Sequence, residues 1–158
     1  MNEPLINDEL AAFISSGLSI TLASRNADNM PSAARAKGCV LVHGTSCKLR
    51  VFVSASQARQ VVTDVRANGA ISATFSVPDT HRSMQFKGCD AHVAELQSGD
   101  RALIDQYIDI FARRVAGNGF SPAFVHAFFA SPPDEIAVEF TPTDAFQQTP
   151  GPNAGTRL

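Results

Sequence analysis

The chain has 158 residues, of which 44% are hydrophobic and 18% charged, with a formal net charge of -2. These values suit one globular core and exclude a disordered polyelectrolyte. They also exclude a general electrostatic drive toward nucleic acid or an anionic membrane.

Asn7 or Asp8 can cap a first helix in which Leu10, Ala11, Phe13 and Ile14 form the apolar face, and Gly17 ends it. The alternation of Leu18, Ile20 and Leu22 with Ser19, Thr21 and Ala23 predicts a strand. Turn formers crowd Asn26 to Pro31, so this strand pairs with the next, from Ser32 to Val42, as a hairpin. Arg35 and Lys37 share one face of that second strand, and Gly38 marks a bulge or a close backbone approach. His43-Gly44-Thr45 supplies a turn before Leu49, Val51 and Val53, which alternate with Arg50, Phe52 and Ser54. Both faces of that third strand carry apolar groups, as in a barrel strand covered on its outside.

Ser56 is placed to cap a helix from Gln57 to Ala67, ended by Asn68-Gly69. Ala70 to Val77 predicts a fourth strand, and Arg82 to Glu95 a long fifth one interrupted by Gly88. From Asp100 to Ala116 the apolar spacing changes to three and four, a strong helix signal. Ser121-Pro122 then opens a short apolar helix, and Ile136 to Thr141 forms the last strand. Phe146 anchors the start of a proline- and glycine-rich tail. The expectation is a mainly β fold: a six-stranded antiparallel split β-barrel with peripheral helices. Residues 1–146 form the domain and residues 147–158 the tail.

The junction from Ser54 to Gln60 is the richest in chemistry. A strand feeding the open amides of a helix start, beside an arginine, can hold a phosphate. Ser54 and Ser56 offer hydroxyls, Arg59 a two-pronged guanidinium and Gln60 neutral donors. The plainer alternative is an ordinary capped helix with Arg59 in solvent. Gln85 lies with Ser83 and Lys87 on one strand face. It can meet the amide-like edge of a flat heterocycle, or simply face water. The histidines fall in no metal-ligand spacing, and no serine sits in GxSxG. The acids Asp100, Asp105 and Asp109 read as solvent-facing. Any redox chemistry would therefore be a bound cofactor's. Cys39, Cys47 and Cys89 lack CxxC spacing and read as reduced thiols. No leader or membrane-length apolar run is present, so the cytoplasm is the expected location.

On these residues the chain resembles the pyridoxamine 5'-phosphate oxidase-like, FMN-binding split-barrel family. Pro31-Ser32-Ala33-Ala34-Arg35 matches the family's Pro-Ser-x-Arg-like segment loosely, and Ala58-Arg59-Gln60 stands at its Ser-Arg-Lys phosphate motif. Arg82 to Gly88 matches its later Arg-to-Gly strand. The resemblance implies a homodimer with FMN at the subunit boundary. NADH or NADPH is the donor to test with it, and the acidic balance and dispersed basic residues lead to no expected nucleic-acid or membrane partner. It implies that Arg59 binds the FMN phosphate, that Arg35 lies by the phosphate end, and that Ser54 faces the flavin. It also implies that Gln85 reaches the cofactor across the dimer. Ala58 and Gln60 remove one hydroxyl and one positive charge from the motif. Ser83 and the absence of an arginine-centred C-terminal motif set the chain apart from the vitamin B6 phosphate oxidases themselves.

Overall fold

The computed structural model describes residues 5–44 and 46–158, so Thr45 of the expected turn lies outside the described residues. Among these residues the chain forms nine strands and four α-helices. β1 (Ser19–Arg25), β2 (Pro31–Arg35), β5 (Ile71–Ser76), β6 (Ser83–Gly88) and β9 (Asp144–Gln147) make one sheet, in the order β2-β1-β5-β6-β9. β3 (Cys39–Val42), β4 (Lys48–Ser54), β7 (His92–Ala94) and β8 (Glu135–Phe140) make the second, in the order β3-β4-β8-β7. Every pairing is antiparallel.

The mainly β reading holds, but the count of six strands does not. Two of the expected long strands each divide and change sheets, as strands do at the corners of packed sheets. The strand expected from Ser32 to Val42 becomes β2 in one sheet and β3 in the other. The strand expected from Arg82 to Glu95 likewise becomes β6 and β7. Gly88 ends β6 where a Cβ would lie 2.7 Å from the Thr141 carbonyl oxygen, which leaves room for glycine alone. The ninth strand, β9, comes from the tail segment around Phe146. The chain then turns back, and Leu158 N–H donates to the Ala145 carbonyl at 2.8 Å.

The inner faces of the two sheets supply the core, with Leu18, Leu22, Val51, Phe75, Phe86 and Phe140 fully buried. Phe75 and Phe86 meet edge to face at 5.8 Å between ring centroids. β4 is buried on both faces, as its sequence implies, because α3 (Asp100–Val115) covers its outer side. The Tyr107 hydroxyl of α3 donates to the Leu18 carbonyl at 2.5 Å. Asn7 caps α1 (Asp8–Ile14) by accepting from Leu10 N–H, and Ser121 caps α4 (Pro122–Phe129) by accepting from Phe124 N–H. No helix of the described residues is long and apolar enough to cross a membrane.

Asp100 is not the solvent-facing acid its helical position suggests. It is 5% exposed and receives the Arg50 guanidinium, which also reaches Glu139 and the Glu95 carbonyl. Arg50 is itself 2% exposed, on the α3-covered face of β4. A buried cation with two carboxylate partners leaves both acids stranded if it is removed. Arg50→Met should therefore cost about 3–5 kcal/mol in urea-induced unfolding. A loss under about 1 kcal/mol, the size of a surface pair, would show that the network carries no such weight.

Candidate functional site

The six site residues expected from sequence fall into two groups. The first lies where β4 passes into α2 (Arg59–Asn68). Ser54, the last residue of β4, pairs across the sheet with Glu135. Its hydroxyl donates to Asp134 Oδ1 at 2.7 Å, and Ser56 N–H donates to Asp134 Oδ2 at 2.8 Å. The two serine hydroxyls lie 3.2 Å apart. The chain's own carboxylate thus takes the donors that the sequence pattern offers to a phosphate.

That capture also corrects the cap. Residues 55–58 form a turn, α2 begins at Arg59, and its N-cap is Ala58 with no side-chain hydrogen bond. Ser56 is committed to Asp134 rather than to a helix start. Gln60 turns toward its own helix, where its amide donates to Asp64 Oδ1 at 2.9 Å. The buried Asp64 accepts from Ser32 at 2.6 Å with its other oxygen, which ties α2 to β2. Arg59 is exposed, and its guanidinium has no hydrogen bond or ion pair among the described residues.

Three charged groups missing from the expected set complete this corner. Lys37 is 4% exposed and reaches Glu135 at 3.1 Å and the Ser131 hydroxyl. Arg101 holds the other Glu135 oxygen at 3.0 Å. Burial alone would raise the Glu135 pKa. A backbone hydrogen bond and the Lys37 and Arg101 side chains outweigh it and leave the carboxyl below its ordinary value. For Asp134 the Ser56 side chain is the largest cause of a lowered pKa, joined by Ser54 and backbone N–H groups. The only sequence signal for these acids was their position as a pair at the start of β8.

The unpaired positive charge of this corner therefore lies at its outer rim and not in its interior. The exposed Arg59 and the first-turn amides of α2 suit an anion. The inner donors are already paired with an ionised carboxylate, which would repel a second anion.

Arg35 and Gln85 form the second group, on the outer face of the five-stranded sheet. The strand registers align Arg35, Thr21, Thr74, Gln85 and Phe146 in one row across β2, β1, β5, β6 and β9. Three strand spacings separate Arg35 from Gln85, about 14 Å. Gln85 donates to Thr74 at 3.4 Å and accepts from Gln148 at 3.3 Å. Arg35 donates to the Ser19 hydroxyl at 2.9 Å, and its guanidinium lies 5.1 Å from the centroid of Phe128. Arg35 and Lys37, expected on one face, point to different places because the chain changes sheets between them. Among the described residues, no cluster of three His, Cys, Asp or Glu side chains could hold a metal ion.

Because its folded pKa is lowered, Asp134 contributes stability above the unfolded carboxylate range, near pH 4. The contribution is lost as the pH falls through the folded value. Wild type should exceed Asp134→Asn near neutrality by about 0.5 kcal/mol, because solvent screens the solvent-facing carboxylate. Urea unfolding at descending pH should show this gap closing in acid; a gap independent of pH would contradict the assigned pairing.

No protein-family profile and no curated protein matches the sequence. Solved structures do match the fold. HupZ from Group A Streptococcus superposes with a TM-score of 0.57 at 14% identity, over 96% of this chain and 100% of that one. An F420 reductase gives 0.52 at 16% identity, covering 89% and 98% of the two chains. A candidate pyridoxamine 5'-phosphate oxidase from Lactobacillus delbrueckii gives 0.52 at 12% identity, covering 92% and 97%. At these identities the shared property is architecture: the chain takes the split-barrel fold of the pyridoxamine 5'-phosphate oxidase-like proteins.

Proposed function

We propose that the chain is a flavin-dependent oxidoreductase acting on a small molecule, with FMN held at the boundary of a homodimer. The observation that carries this reading is the architecture. It follows an F420 reductase and a candidate pyridoxamine 5'-phosphate oxidase along nearly their whole lengths. Arg59 supports it locally, as an exposed guanidinium on the first turn of α2. Its role is to hold the phosphate at the rim, outside the Asp134 pairings. Gln85, on the outer sheet face between Thr74 and Gln148, is suited to meet a cofactor lodged against a partner subunit. FMN supplies hydride transfer when bound, with NADH or NADPH as the source.

One observation favours a second reading. Asp134 fills the interior of the corner with negative charge, which suits a non-enzymatic dimeric split barrel that binds flavin or another small ligand. Titration of the purified protein with FMN, followed by NADH and NADPH, separates the two. The oxidoreductase reading expects uptake of FMN and bleaching of its visible absorbance on reduction. Arg59→Ala should weaken uptake about ten- to hundredfold, the range for a lost charge-assisted contact. Asp134→Asn should strengthen it by removing a like charge. Failure to take up FMN at high concentration would reject the proposal, and uptake without reduction would favour the second reading. Unchanged affinity in Arg59→Ala would move the phosphate away from α2.

A further inference from the structure

The outer face of the five-stranded sheet ends in a cleft that the corner at α2 does not use. It has a volume of about 400 Å³ and lies between the sheet, the β5–β6 turn and helices α3 and α4. Phe111 and Val115 line it from α3, while Phe120, Phe124 and Phe128 line it from α4 and the segment before it. Arg35 stands among them as a fixed cation.

The three outer phenylalanines form a column. Phe120 and Phe124 stack at 5.3 Å with 27° between their planes, and Phe124 and Phe128 at 6.3 Å with 19°. They are 45%, 53% and 52% exposed. α4 needs only Val125 and Phe129 to bury its inner side, so the outward rings are surplus to the core. Each ring still exposes about half of its surface, so the column offers an apolar wall that a ligand can cover.

Arg35 gives that wall a chemical preference. Ser19 and the face of Phe128 hold its guanidinium in place. Packing on a ring face leaves the in-plane N–H donors of a guanidinium to pair with a planar anion. The concave shape and a volume at the lower end of the small-molecule range, about 300–1,000 Å³, suit a compact ligand rather than a protein surface. Ser19, Ser76 and His81 add polar groups at the lining. We infer that this cleft binds a flat aromatic carboxylate, its rings against the phenylalanine column and its carboxylate on Arg35. The inference does not depend on flavin binding.

2-Naphthoate is a suitable probe, and its fluorescence can be followed without tryptophan background because the chain has none. The acid should bind about ten- to hundredfold more tightly than the uncharged 2-naphthamide. Arg35→Gln should abolish that preference, while Arg35→Lys, which keeps the charge without the fork, should fall between. Phe124→Ala should weaken acid and amide alike. Arg59→Ala should change neither, which keeps this result separate from the FMN titration. Circular dichroism checks that each variant folds. Failure of the acid to bind, or equal affinity for acid and amide in the wild type, would overturn the inference. So would sedimentation showing a dimer that Phe124→Ala dissociates in a protein that binds neither probe, since the column would then belong to a second copy of the chain.

Discussion

Both sites descend from one backbone step between the sheets. Ala36 N–H still donates to Ile20 of the first sheet at 2.9 Å, while Lys37 N–H already donates to Phe52 of the second at 2.7 Å. The return bond runs from Phe52 N–H to the Gly38 carbonyl at 2.9 Å. Gly38 makes the step possible with a φ of +137°, in a region that side chains resist, and a Cβ there would crowd the Phe52 ring and the Tyr107 Cβ, each at 3.3 Å. The crossing leaves Arg35 on the outer sheet face and drives Lys37 inward. A buried ammonium without a partner is severely destabilising, so the inward turn of Lys37 requires Glu135 beside it.

That requirement shapes the corner at α2. Glu135 and Asp134 enter together at the start of β8, and each finds a different kind of partner. Glu135 takes the cations Lys37 and Arg101, whereas Asp134 takes hydroxyl and amide donors from Ser54 and Ser56. A tethered carboxylate holds an advantage over a free anion because folding has already ordered it, while an incoming ligand must still lose its own freedom. A phosphate carries more charge than the carboxylate, but it meets that charge's repulsion along with its attraction. Competition between the two therefore decides how much of the corner a ligand can claim.

Much of the fold could be read from local pattern. The alternation of Leu18, Ile20 and Leu22, the helical spacing from Leu103 to Val115 and the Ser121-Pro122 start all appear as expected. Each is decided within a few residues by side-chain period or capping. The divided strands were not legible, because alternation says which residues share a face only while the strand stays in one sheet. Gly38 and Gly88 marked the breaks, yet a glycine alone does not say whether a strand bulges or leaves. Ser54, Ser56 and Arg59 were legible as a group of donors near a helix. What occupies those donors was not, since Asp134 lies 78 residues from Ser56 in sequence. The phenylalanine column was hidden for the opposite reason. Phe120, Phe124 and Phe128 recur at helical spacing, and such spacing ordinarily marks a buried face.

The segment from Phe120 to Glu135 joins these observations. Its helical half, capped by Ser121, carries the phenylalanine column over Arg35. Its C-terminal half is held by Gln57, whose amide donates to the Ala130 carbonyl at 3.3 Å, and by Lys37 through Ser131. It then delivers Asp134 to Ser54 and Ser56. Pro132 and Pro133 fix two backbone φ angles between the halves, so the connection is stiff as well as short. One stretch of chain thus walls the aromatic cleft and places negative charge in the phosphate corner. A displacement of α4 would move Phe128 relative to Arg35 and strain the hold on Asp134 through the same few residues.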